Sequence, residues 1–272
     1  MLSAAIVLGM GTMGEMDDRA LTVMTFNVRY GTAPDGENRW ENRREGVIGL
    51  IKSNDPDVLG VQEALAEQVD EISAALPDYG VIGVGRDDGV RKGEFSALFY
   101  RRSALKEVRS GTRWISDDPM KVGSIGPGAN LPRIFCWGEF ERKGMGNILV
   151  VNTHWDHQSA PARMLGATQI GDFLGQEKGL PSVVMGDFNC LPDSEPVKHL
   201  IELGLTVARP KEGPFVSFQG FDPQVTAGDM IDHVLVSKQW DLSSVKIDRT
   251  LLPTGRTPSD HYPVVARIRL KD

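Results

Sequence analysis

The stretch VVMGDFNC, residues 183–190, drives an apolar run straight into Gly-Asp-Phe-Asn. It sets a carboxylate and a carboxamide two residues apart at the end of what reads as a buried strand. Asp or Asn at such a place ordinarily closes a turn against its own backbone. Open α/β sheets, however, put their chemistry at the carboxyl ends of strands, so the reading depends on what other strand ends carry. TVMTFN (22–27) ends in Asn27, DVLGVQE (57–63) in Glu63 and ILVVNTH (148–154) in His154; MIDHVLV (230–236) holds Asp232, and PSDHYPV (258–264) places Asp260 and His261 just before the last strand. One such residue is unremarkable; the same kind of group at six equivalent places points to a shared site.

The spacing of these strands predicts the fold. Asn27 to Glu63 is one strand–crossover–strand unit with a helical stretch at 40–53, and His154 to Asp187 is a second with a helix at 161–176. Apolar stripes at Leu65, Val69, Ile72 and Leu76, and at Met164, Ala167, Ile170 and Leu174, have the three-and-four spacing of helices that lie on a sheet. Further strands are expected at 79–84, 95–100, 133–140, 231–237 and 262–270 from β-branched and aromatic runs bounded by Gly, Pro, Asn or Asp. Two such halves packed face to face make an α/β (α+β) four-layer α/β/β/α sandwich of two mixed β-sheets flanked by helices, with the polar strand ends meeting at one rim. No linker or low-complexity tract interrupts residues 21–272, which are expected to form one domain, and residues 1–20 an N-terminal arm or signal-peptide remnant.

The 272 residues carry a formal net charge of −7 and a pI of about 5.3, so the chain lacks the broad cationic field that holds long duplex nucleic acid. No apolar run is long enough to cross a bilayer. Cys136 and Cys190 lie too far from each other and from other ligands for a disulfide framework or a zinc spacing and are expected to be small buried residues. The short apolar patch at 2–10 leaves export or retention open. The oxygen-rich rim suits a hard cation such as Mg2+, with Mn2+ as a substitute, better than zinc.

In order along the chain, TFNVRY, VQEA, NTHWDH, GDFN, IDHVLVS and SDHYPV resemble the motifs of the endonuclease/exonuclease/phosphatase superfamily over about residues 21–270. The runs DGENRWENRREGV, GVGRDDGVRKGEFSALFYRR, GTRWISDDP and LPRIFCW resemble a bacterial branch near the deadenylases. The chain departs from that branch at Ile231-Asp232-His233, where IDY is usual, and at GPGANLPR, which replaces a Trp-Asp-Ala segment. The resemblance implies a metal-dependent hydrolase of phosphate esters. Glu63 would be the main metal ligand with Asn27 and Asp260 near it, Asp187 would activate the attacking water, and Asn189 would hold that water or a phosphate oxygen. His154 and His261 would contact the phosphate, Asp232 fixing the tautomer of His261.

Outside the motifs, Arg133 could meet a phosphate or pair with a buried carboxylate, Tyr100 could line the site or pack, and Asp156, which alternation puts on the His154 face, is expected within reach of the rim as a substrate contact. Residues 83–94 read as a surface hairpin, with Arg86 or Arg91 as substrate contacts. The substrate is expected to be a small phosphate ester or a short nucleic acid, and the protein a monomer. A nuclease on short single strands, a sugar or inositol phosphatase, and a catalytically silent binding module all remain open.

Overall fold

Strict alternation of side chains lets one strand serve two cores at once. In β1 (Ala20–Asn27), Leu21 and Val23 face one apolar cluster while Met24 and Phe26 face another; in β7 (Gly146–His154), Ile148 and Val150 share the first cluster and Leu149 and Val151 enter a third. Three cores separate four layers. The computed structural model describes residues 18–177 and 179–272, and the expected N-terminal arm lies almost wholly outside them. Among the described residues no helix is long and apolar enough to cross a membrane.

The remaining elements are α1 (Trp40–Asn54), β2 (Val58–Ala64), α2 (Ala66–Ala75), β3 (Tyr79–Ile82), β4 (Phe95–Arg101), β5 (Lys106–Trp114) and β6 (Ile134–Arg142). They are followed by α3 (Ala160–Gln176), β8 (Ser182–Asp187), α4 (Glu195–Glu202), β9 (Leu205–Val207), β10 (Asp232–Ser237), β11 (Trp240–Ile247) and β12 (Val264–Leu270). One six-stranded sheet has the order β11-β12-β1-β2-β4-β3, and the other β5-β6-β7-β8-β10-β9. The inter-sheet core includes Val23, Leu98, Ile148 and Met185; Ile51 and Ile72 cover the first sheet under α1 and α2, and Ile170 and Leu200 cover the second under α3 and α4. This is the four-layer sandwich of two mixed sheets that the strand spacing predicted.

The direction of pairing gathers the polar groups. β1 and β2 are parallel, as are β7 and β8, so Asn27, Glu63, His154 and Asp187 all leave the sheets at one edge. The neighbouring strands are antiparallel and therefore bring their beginnings to that same edge: Asp232 lies opposite Asp187, Val264 opposite Thr25, Phe95 opposite Ala64, and Phe135 opposite Thr153. Residues just ahead of those strands, Asp260, His261, Glu94 and Arg133, arrive at the rim for this reason alone.

A polar clamp beneath the rim fixes one sheet against the other. Asn152 of β7 donates to the carbonyls of Val61 and Ala97 in the opposite sheet (3.0 and 2.9 Å) and accepts from Gln62 Nε2 at 2.6 Å. Gly60 makes room: a Cβ there would stand 2.6 Å from Asn152 Oδ1. Both amide nitrogens and the Asn152 oxygen have partners, so the clamp holds alignment where an apolar pair would slide.

Four elements were not legible from pattern. β5 reads KEVRSGTRW and is exposed through its first half, and β11 reads WDLSSVKI; both are edge strands, where polar side chains replace the apolar alternation that marks a strand. β9 and α4 are short, with three and eight residues. Cys136 and Cys190 are free and buried, as expected.

Candidate active site

The rim opens into a cleft of about 730 Å³ whose lining includes Glu63, Glu94, Arg133, His154, Asp187, Asn189, Asp260 and His261. Of the five non-glycine residues with left-handed backbone among the described residues, four line this cleft: Arg29, Glu63, Asn189 and Phe221. The fifth, Asp55, caps α1. Such conformations raise the energy of an ordinary residue and persist where the surroundings enforce them. For Glu63 the enforcement is local: the β2–β4 register shifts between Val61 and Ala64, and the bulge turns the Glu63 carboxylate into the cleft.

The strand ends meet side chain to side chain. Asn27 Nδ2 donates to Glu63 Oε1 and Asp187 Oδ2, both at 3.0 Å, and Asn27 Oδ1 accepts from the Arg29 amide. The second Glu63 oxygen accepts from Tyr30 N, and Asp187 Oδ1 from Asn189 N at 2.9 Å. Asn189 Nδ2 is anchored on the Trp155 carbonyl. His154 Nε2 and His261 Nε2 approach Asp187 Oδ2 at 3.6 and 3.7 Å. Behind His261, Asp232 Oδ2 holds Nδ1 at 2.8 Å. Asp232 in turn is positioned by the Ser217 hydroxyl, which accepts from its backbone amide.

Burial and charge set distinct protonation states for these groups. Burial pushes the Asp187 carboxyl up, helped by the nearby Asp232 charge, to about 7. Burial lowers the affinity of His154 for a proton, and Arg133 and Arg86 lower it further, so this imidazole is neutral. Burial alone would do the same to His261, but Asp232 and Asp187 outweigh it and raise its pKa well above the usual range. Two histidines on one carboxylate are thus pushed in opposite directions, because Asp232 is bonded to His261 at 2.8 Å whereas Arg133 and Arg86 stand near His154. Asp260 is raised by burial and by Glu63.

The Endonuclease/Exonuclease/phosphatase family profile matches residues 24–261, which contain every side chain just described. The chain belongs to that family. Its members are hydrolases of phosphoester bonds that depend on a divalent metal. A family protein of Bacteroides thetaiotaomicron has the same fold with a TM-score of 0.86 at 31% identity, covering 93% of this chain and 98% of its own. A mannosyl-6-phosphatase of the same organism gives 0.83 at 33% identity, with 91% and 99% covered. Among curated proteins, an uncharacterized protein of Acanthamoeba polyphaga mimivirus is 29% identical over 146 residues, covering 50% of this chain and 54% of its own. The chain spans about half the length of the curated relatives it matches.

The donor chemistry of the rim fits the divalent cation that the family uses. Ligand atoms of Glu63, His154 and Asp187 lie within 4.8 Å of one another, and Asp260 adds a third carboxylate to the same cleft. Gathering carboxylates in a buried pocket is unfavourable without a compensating positive charge. Asn27 enters this set as a donor: its amide nitrogen faces Glu63 and Asp187, whereas a ligand role needs the amide turned over and the Arg29 contact given up.

Three sequence expectations change. Tyr100 lies at the far end of its strand, opposite Val58 rather than Glu63, because β4 runs antiparallel to β2; it packs on Phe140 and donates to Glu107. It has no place at the rim. Asp156 does not share the His154 face, since the strand stops at His154; its carboxylate accepts from Gln158 N and Ser159 N ahead of α3, and His157 lines the cleft instead. Arg91 pairs with exposed Asp70, outside the cleft. Arg133 pairs with a buried carboxylate, Asp156 at 3.4 Å, donates to His157 Nδ1 at 2.8 Å, and lines the cleft. Trp155, which sits between polar neighbours in sequence, is wholly buried and stacked on Phe188 at 4.1 Å.

Sequence reasoning missed Glu94, Phe218 and Phe221. Glu94 closes a loop that reads as solvated surface, yet it grips Arg86 with both oxygens (2.7 and 2.9 Å) and approaches His154 Nδ1 at 3.7 Å. Burial raises its pKa to about 7. The signal available was Arg86 and Glu94 bracketing a hairpin loop whose base lies at the rim.

Proposed function

We propose that the protein is a magnesium-dependent phosphoesterase that hydrolyses a small phosphate ester by in-line attack of water. The arrangement carrying this reading is the Asp187 carboxylate, held on both oxygens and flanked by one neutral and one protonated histidine. Asp187 is placed to take the proton of the attacking water, Asn189 to position it, and His261 and His154 to donate to the phosphoryl oxygens as charge builds on them. Glu63 and Asp260 would hold Mg2+, with Asn27 positioning Glu63. A bound divalent ion supplies Lewis-acid polarisation of the phosphoryl group.

The cleft argues for a small ester over a long strand. Its cations are already matched, Arg29 by Asp35, Arg86 by Glu94 and Arg133 by Asp156, which leaves no row of free charges to track a polyanion. The mannosyl-6-phosphatase relative adds support for a phosphatase. A second reading, an exonuclease on short single strands, draws on Phe218, 46% exposed at the mouth, as a stacking surface for a base. Phosphate release from an aryl phosphate and mononucleotide release from an oligonucleotide, each with chelator and then added Mg2+, test the proposal. Failure of Mg2+ to support either reaction would refute it and leave the silent binding module.

A further inference from the structure

Beyond the phosphoryl-binding groups, the cleft has two kinds of lining. One is apolar and includes Tyr30, Leu131, Phe218, Phe221 and Ile231. Phe218 stands at the mouth with its ring tilted on His261, centroids 4.9 Å apart, so a group leaving the phosphorus beside His261 meets this face. The other is a corner of matched charges: Arg86 with Glu94, and Arg133 with Asp156 and His157. The two arginines balance the two carboxylates, so the corner is neutral as a whole while offering both donors and acceptors. Arg86 Nε and Arg133 Nη1 are buried without a hydrogen-bond partner, with the Asp87 carboxylate 3.9 Å from Arg86 Nε.

These linings select among leaving groups. A second phosphate or a carboxylate would find Arg86 and Arg133 already matched by Glu94 and Asp156, so the corner offers it no net positive charge. A hydrocarbon chain would strand the charged corner against apolar surface and leave its polar groups unpaired. A sugar ring has an apolar C–H face for an aromatic side chain and hydroxyls that both donate and accept, the two properties this part of the cleft pairs with. We propose that Phe218 and the Arg86–Glu94–Arg133 corner form a leaving-group subsite for an uncharged sugar ring, making the substrate a sugar phosphomonoester. This rests on the phosphoesterase reading above and deepens it.

The test is a panel assayed on the intact protein with Mg2+: a hexose 6-phosphate, glycerol phosphate, a nucleoside monophosphate, a short oligonucleotide and an aryl phosphate. The hexose phosphate should exceed the aryl ester in kcat/KM by about tenfold despite its poorer leaving group, because binding at a remote ring is used in the transition state. It should exceed glycerol phosphate, which has hydroxyls and no ring face, by a similar factor. Phe218→Ala should raise KM for the hexose phosphate about fivefold with a smaller change in kcat. Arg133→Gln should lower kcat/KM for the hexose phosphate about tenfold more than for the aryl ester. Preference for the nucleotide or oligonucleotide, or equal turnover of hexose and glycerol phosphates, overturns this inference while leaving the phosphoesterase intact. Equal losses on both esters in Arg133→Gln also overturn it. No Mg2+-dependent turnover of the aryl ester overturns the underlying reading and this inference with it.

Discussion

The two walls of the cleft are built on opposite terms. On one wall, Asp187, Asn27, Glu63, His261 and Asp232 are joined by specific hydrogen bonds. On the other, Arg86 pairs with Glu94 and Arg133 with Asp156, while Arg86 Nε and Arg133 Nη1 are buried without a hydrogen-bond partner. In the proposed reaction the first wall meets the phosphoryl group, whose tetrahedral shape phosphate esters share. The second would meet the part that differs between them. The two walls come from different strand ends: the first from the ends of β1, β2 and β8 and the approaches to β10 and β12, the second from the approaches to β4 and β6.

If the phosphoryl wall acts as a unit, breaking it should affect every substrate alike. Asp187→Asn should lower kcat by about 10³–10⁴-fold on an aryl phosphate and on any natural ester, measured at saturating Mg2+; a loss confined to one substrate would erase the distinction between the walls. Asp232→Asn keeps the shape behind His261 while removing its charge, and kcat should fall by about 10²–10³-fold. A protonated His261 should also show by NMR in the parent protein and not in this variant; unchanged titration would mean that Asp232 does not hold the proton there.

Smaller effects sharpen the same contrast. Glu63→Gln should raise the Mg2+ concentration needed for half-maximal activity by about 10–100-fold, checked by metal titration of activity and by calorimetry. Asn152→Ala leaves the Val61 and Ala97 carbonyls without their donor and should lower unfolding free energy by about 2–4 kcal/mol in urea, since the clamp is what keeps both walls in register. Tyr100→Phe is the control at the far end of the sheet: kcat/KM should stay unchanged and stability should move by less than about 0.5 kcal/mol. A clear loss of activity in that variant would contradict the placement of the site at one rim.

Much of the site was legible because its residues interrupt the pattern around them. An apolar strand that ends in Asp187 and Asn189, or in His154, announces a group that the core cannot use. Tyr100 misled because an aromatic at a strand end looks the same at either edge of a sheet, and only the antiparallel direction of β4 decides which edge it occupies. Asp156 misled because alternation holds only while the strand continues, and β7 stops two residues earlier. Glu94 and Phe218 escaped because both belong to loops whose composition is ordinary; their importance comes from the neighbours they meet.

Sequence alone determined the sandwich and its two repeated strand–helix–strand halves, which are written in local periodicity, and its ordered motifs supplied the candidate site residues through their resemblance to a family. Tertiary structure alone decided which loops line the cleft beside those groups, which histidine is bonded to Asp232, and which face Asn27 turns to the carboxylates. Those outcomes depend on strand direction, on burial and on charges from residues distant along the chain, and no local pattern records them.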